Sequence, residues 1–112
     1  MDKLRISLIT PTYNERENLP LLAEEIFEII AAEPDIDLEL IVVDDNSPDG
    51  TGQMAEELKA QYPLQVVHRA GKLGLGSAVM EGFALSDRPY LGVIDADLSH
   101  DPAILPELIR SL

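Results

Sequence analysis

Four short aliphatic runs, each followed by apolar residues at helical spacing, constrain this chain more than any other feature. "LRISLIT" (4–10), "LELIVVD" (38–44), "LQVVH" (64–68) and "YLGVID" (90–95) are rich in aliphatic and β-branched residues and read as strands. The second is apolar almost throughout, as expected of a strand covered on both faces of a parallel sheet. After the first strand, Leu22, Ile26, Ile29 and Ile30 recur at helical spacing, with Asn18 as the expected cap. Met54, Ala55 and Leu58 make a shorter helix face, and Ala78, Val79 and Phe83 suit a helix after a glycine-rich turn. Ile104, Leu105, Leu108, Ile109 and Leu112 form the apolar stripe of a last helix opened by Pro102. Four β-α units predict an α/β fold: a mainly parallel sheet with right-handed crossovers and helices on its faces. Residues 1–112 read as a single domain, with no internal repeat, low-complexity tract or linker.

In open α/β sheets ligands bind outside the carboxyl ends of the strands. The polar motifs fall there: "PTYNE" after the first strand, "DDNSPDG" after the second, "HRAGKLGLG" after the third and "DADLSHD" after the fourth. In an extended segment Asp95 and Asp97 share side-chain parity, so both can face one side. Such a pair suits magnesium or manganese, which takes one or two protein carboxylates and fills its shell with water and substrate phosphate. The plain alternative is a solvated strand end, with Asp101 before Pro102 opening a helix. Asn46 to Gly50 carries turn chemistry. Counting from Asp45, the same loop places Glu56 at the twelfth position of a near-fit to a calcium loop. Ser47, the stiff Pro48 and the preceding strand count against that reading. The glycines of "GKLGLGSA" do not follow the P-loop order, and they come after the third strand instead of the first. They are expected to permit a turn and close backbone approach at a helix start, with Arg69 and Lys72 as the cations available to phosphate. Tyr13 is placed to stack on a base, and Glu15 to accept hydrogen bonds from a sugar or base. His68 and His100 are isolated and expected at the surface.

Composition excludes several classes. A net charge of −13, from eight basic and 21 acidic residues, argues against nucleic-acid binding and against direct adhesion to anionic lipid. The absence of cysteine removes disulfides and thiolate metal sites. No apolar run approaches the length of a membrane span, and a cytoplasmic setting is expected.

Taken in order, "PTYNERENLP", "DDNSPDGT", "GKLGLGSA" and "DADLSHDP" resemble glycosyltransferase family 2, the inverting enzymes with the Rossmann-like GT-A fold. Within it they look most like the dolichyl- or polyprenyl-phosphate mannosyltransferases. The resemblance implies a nucleotide-sugar site in which Pro11, Tyr13 and Glu15 bound the nucleotide and Val43 and Asp45 hold the base. Asp95, Ala96 and Asp97 would lie under the ribose and diphosphate. Asp97 would be the catalytic metal ligand, joined by Asp95 and by Ser99 where some relatives carry Gln. It further implies Mg2+ or Mn2+, a donor such as GDP-mannose, and a polyprenyl or dolichyl phosphate acceptor at the cytoplasmic face of a membrane. Catalytic domains of this kind are longer than 112 residues. The chain is therefore expected to be a truncated donor-binding half, with membrane contact left to the missing parts and an apolar edge that invites homo-oligomers. The competing expectations are a nucleotide- or metal-binding module without turnover, and a signalling or calcium-binding domain.

Overall fold

A computed structural model of the chain describes residues 3–71, 74–99 and 101–111. The elements are β1 (Leu4–Thr12), α1 (Asn18–Ala31), β2 (Ile36–Asp44), α2 (Thr51–Leu58), β3 (Leu64–His68), α3 (Leu75–Leu85), β4 (Tyr90–Val93), a 3-10 turn (Pro102–Ile104) and α4 (Leu105–Arg110). The expected β-α alternation is present. Lys72, His100 and Leu112 lie outside the described residues.

The strands form one parallel sheet in the order β3-β2-β1-β4. The chain steps outward from β1 through α1 and α2, then crosses back over α3 to place β4 on the other side of β1. β1 and β2 are therefore central, and their runs Ile6–Thr10 and Leu40–Asp45 are buried without interruption. One face packs Ile6, Leu8, Leu38, Leu40 and Val42 against Leu22 and Ile26 of α1, Ala55 and Leu58 of α2, and Leu105 and Ile109 of α4. The opposite face packs Ile9, Ile41 and Val43 against Ala78 of α3, with Val67 and Phe83 at the margin. Alternate residues thus feed two cores, which is why "LELIVVD" has so little polarity to spare.

Several local expectations change. β1 runs to Thr12, two residues beyond the predicted strand, because Pro11 and Thr12 still register against Val43 and Asp44. β4 ends at Val93, although Ile94 N–H still donates to Ile9 C=O at 3.0 Å. Asn18 is not the cap of α1: Glu17 holds that position without a side-chain cap, and Asn18 Nδ2 donates to Glu15 Oε2 at 3.1 Å. The last helix begins as a 3-10 turn, with Asp101 accepting from Ala103 N–H at 3.0 Å. Of its apolar stripe, Leu105 and Ile109 are buried while Ile104 and Leu108 stay about half exposed, beside Leu91 and Val93 on the β4 edge.

α3 sits unusually close to the sheet. A Cβ added at Gly82 would lie 2.6 Å from Ile9 Cγ2, and Ile9 is fully buried between neighbouring strands. Gly82→Ala should cost about 1–3 kcal/mol in overpacking against roughly 1 kcal/mol regained in helix propensity, so the urea midpoint should fall. An unchanged or raised midpoint would show that α3 rides off the sheet freely. At the other end, Arg110 ties α4 to Glu33 and Asp35 before β2. The Arg110 hydrogen bond, against a smaller opposing effect of desolvation, holds the Asp35 carboxyl below the usual carboxylate range. This contribution is present above the unfolded value and is lost as pH falls through the folded one. In Arg110→Ala the NMR titration midpoint of Asp35 should rise into the ordinary range; a midpoint that stays put would mean Arg110 is not its partner.

Candidate functional site

The carboxyl ends of β1 and β2 are stitched together before any ligand is considered. Asp45 N–H donates to Thr12 C=O at 3.1 Å, carrying the ladder past the strands. The buried Asp44 carboxylate accepts from Thr12 Oγ1 (2.7 Å), Ser47 Oγ (2.6 Å) and Ser47 N–H (3.0 Å). The first loop then leans on the second through its backbone. Asn14 N–H donates to Ser47 Oγ (3.0 Å), Glu15 N–H to Thr51 Oγ1 (2.9 Å) and Arg16 N–H to Asp49 Oδ2 (3.2 Å). Both turns use asparagine in the left-handed region, with φ 58° at Asn14 and 54° at Asn46, where its short polar side chain is better tolerated than most. Gly50 adopts φ 90° ahead of α2, which explains Asp49-Gly50 as turn chemistry. Desolvation opposes ionisation of Asp49, but hydrogen bonds from the Thr51 hydroxyl and from the Arg16 and Thr51 backbone outweigh it. They hold this carboxyl below the usual range.

Pro11, Thr12, Tyr13 and Asp45 meet Gly74 and Leu75 around a cavity of about 160 Å³. Three residues expected at a nucleotide site, Pro11, Tyr13 and Asp45, are thereby brought together, with the glycine-rich turn as the facing wall. Val43 and Glu15 are not among them. The Val43 side chain is wholly buried with Ile9 and Ile41. Glu15 lines a separate groove with Arg16, Asn18 and Asp49. Arg69, expected as a cation available to phosphate, has a side chain only 2% exposed. Its Nε lies 2.8 Å from Asp45 Oδ1. The physical reason is the burial of Asp45 itself, since a carboxylate taken from water needs a charge partner. A second cavity of about 300 Å³ opens beyond Arg69, between Asp44, Ser47, Gly52 and His68. His68 is half exposed, as expected of a surface histidine, with Nε2 3.7 Å from Glu56 Oε1.

After β4 the burial alternates. Ile94 and Ala96 are each 3% exposed, while Asp95 is half-buried and Asp97 exposed. The two carboxylates therefore sit on the side away from the core, just past β4, which pairs with the strand that leads to Pro11 and Tyr13. Ala96, expected under the ribose, instead turns its methyl into the core. Ser99 N–H donates to Asp97 Oδ1 at 3.0 Å, and Leu98 turns the chain with φ 64°. Among the described residues no cluster of three or more His, Cys, Asp or Glu side chains is arranged for a metal. Two outward carboxylates with a neighbouring hydroxyl still fit an ion that takes much of its shell from phosphate and water. Asp44 and Thr51 are the residues that sequence reasoning passed over. The signal for Asp44 was present in "DDNS", where Asp followed three residues later by Ser forms a side chain-to-backbone turn.

Over 97% of its length the chain is 44% identical to a dolichol-phosphate mannosyltransferase of Pyrococcus furiosus, of which it covers 30%. It is also 44% identical, over 96% of its length, to a polyprenol monophosphomannose synthase of Mycolicibacterium smegmatis, of which it covers 41%. The chain thus spans well under half the length of both. Among solved structures, a Pyrobaculum calidifontis mannosyltransferase in complex with GDP-Man and Mn2+ superposes with a TM-score of 0.68 at 28% identity. That match covers 85% of this chain and 28% of the other. Residues 7–112 match the model of glycosyl transferase family 2. With all four loop motifs inside that match, the chain belongs to glycosyl transferase family 2.

Proposed function

We propose that these residues form the donor-binding half of a mannosyltransferase that uses GDP-mannose and a polyprenyl or dolichyl phosphate. The observation that carries the proposal is the convergence of Pro11, Tyr13 and Asp45 on one cavity at the end of β1 and β2, with Asp95 and Asp97 following the neighbouring strand. The 44% identity to two enzymes named for this reaction supports the same substrates.

The chemistry fits the residues available. The bond between the sugar's anomeric carbon and the diphosphate breaks, and its electron pair leaves with GDP. An oxygen of the acceptor phosphate attacks the opposite face, so configuration inverts through an oxocarbenium-like transition state. A phosphate oxygen is already ionised near neutral pH, so this acceptor needs no carboxylate base. Asp45 is then left to accept from ring N–H groups of the base, and Tyr13, 39% exposed, to offer its ring for stacking. Asp95, Asp97 and Ser99 would hold Mg2+ or Mn2+. A bound divalent ion there supplies positive charge against the diphosphate as charge develops on the leaving group. We place the acceptor at the cytoplasmic face of a membrane with peripheral contact. Among the described residues no helix is long and apolar enough to cross one.

Calorimetric titration of the purified chain with GDP, GDP-mannose, UDP and UDP-glucose, with and without manganese, tests the reading. Manganese-dependent binding of GDP and GDP-mannose should weaken by about tenfold or more in Asp97→Asn, equal to roughly 1.4 kcal/mol. A folded chain that binds none of the four would refute a donor site in these residues. Metal-dependent binding that prefers UDP would refute mannose from GDP-mannose as the donor.

A further inference from the structure

Arg69 leaves β3 with its backbone fixed, because its N–H donates to Asp44 C=O at 2.8 Å. Its side chain then runs under the sheet edge, where only 2% of it meets solvent, and reaches three partners. Nε stands 2.8 Å from Asp45 Oδ1, and a terminal nitrogen stands 3.5 Å from Glu81 Oε2. The other terminal nitrogen donates to Ser77 Oγ at 3.0 Å. Ser77 and Glu81 are four residues apart on α3, so they share one helix face. Gly74 and Leu75, just ahead of them, line the same cavity as Asp45. One guanidinium therefore connects both walls of that cavity: the carboxylate at the end of β2 and the first turns of α3. Arg69 also lines the larger cavity beside Asp44 and His68, but it is absent from the lining of the smaller one, which it reaches only through Asp45 and α3.

We propose that Arg69 is a positioning residue for recognition of the donor's base, acting through Asp45 and the start of α3 rather than on phosphate. The proposal rests on the donor reading above and names the device that sets its base preference. Guanine presents two adjacent N–H donors to a carboxylate, and uracil presents one. Distinguishing them depends on how the Asp45 carboxylate is turned. The guanidinium spreads its nitrogens over Asp45, Glu81 and Ser77 at once and so ties the carboxylate to α3, whereas a lysine ammonium at the same position is a point charge. Lysine can retain the pairing with Asp45 but cannot also hold Ser77 and Glu81.

Calorimetry on the full chain with manganese compares GDP and UDP for wild type, Arg69→Met, Arg69→Lys and Asp45→Asn. Arg69→Met should lose about tenfold or more in GDP affinity and bring the GDP-to-UDP preference close to parity. Arg69→Lys should fall between wild type and Arg69→Met. Added to Asp45→Asn, Arg69→Met should weaken GDP by less than roughly twofold, because residues acting through one another are not additive. A folded Arg69→Met with wild-type preference, or losses that simply add, overturns the proposal. If Arg69→Met does not fold, the preference of Arg69→Lys decides in the same way. Wild type binding neither nucleotide would count against the donor reading, and the link itself is then read from amide resonances. Arg69→Lys must shift Thr12, Tyr13, Leu75 and Ser77, and resonances that stay in place overturn it.

Discussion

The Asp44 carboxylate, 2% exposed, closes the end of the two central strands by accepting from Thr12 and Ser47. Much of the upper surface depends on it. Parallel strands finish with backbone groups that have lost their ladder partners, and these need other partners when buried. Asp44 lets β2 end in a turn that folds back against β1 instead of running on into solvent. That turn presents Ser47 to Asn14, and Asp49 and Thr51 extend the same seam to Arg16 and Glu15. Asp44 is held by Thr12 and Ser47, and its neighbour Asp45 is the one that lines the cavity with Pro11 and Tyr13. Two adjacent carboxylates thus divide into a structural one and a candidate ligand-facing one.

Much of the architecture was legible because burial leaves a periodic trace. Strands covered on both faces read as unbroken aliphatic runs, and helices packed on one side read as stripes. The order of the loops along one edge follows from parallel topology alone. Even the outward parity of Asp95 and Asp97 could be read, since Ile94 and Ala96 alternate with them as core residues. What periodicity cannot carry is the choice between neighbours of like chemistry. Asp44 and Asp45 are the same residue type in succession, and only the register of β2 on β1 sets Thr12 opposite Asp44. Arg69 was misplaced for a related reason: arginine is mostly exposed, and its burial answers to Asp45 and α3, neither of which is local to it. The parity of Val43 turns its side chain toward Ile9 and Ala78.

The likeness to mannosyltransferases extends over nearly the whole chain but reaches only 30% and 41% of those relatives. The shared portion is the part in which strand ends, turns and the Asp95–Asp97 pair converge. Within it the division of labour is spatial. The β1–β2 side offers a ring, a carboxylate and a glycine-lined wall, which suits a planar base. The β4 side offers outward carboxylates and a hydroxyl, which suits a charged group with its counter-ion. A nucleoside diphosphate has that same polarity along its length.

The backbone bridges from Asn14, Glu15 and Arg16 to the second loop bear on the thermodynamics of any encounter. Immobilising a rotamer-rich side chain at an interface costs about 0.5–1.5 kcal/mol, and loops that close around a ligand spend part of their affinity on ordering themselves. Here the segment that carries Tyr13 is already restrained at its next three residues by contacts made on folding. Its conformational entropy is surrendered with that of the domain, not at the moment of association. A weak set of contacts at a small site can therefore appear as net affinity.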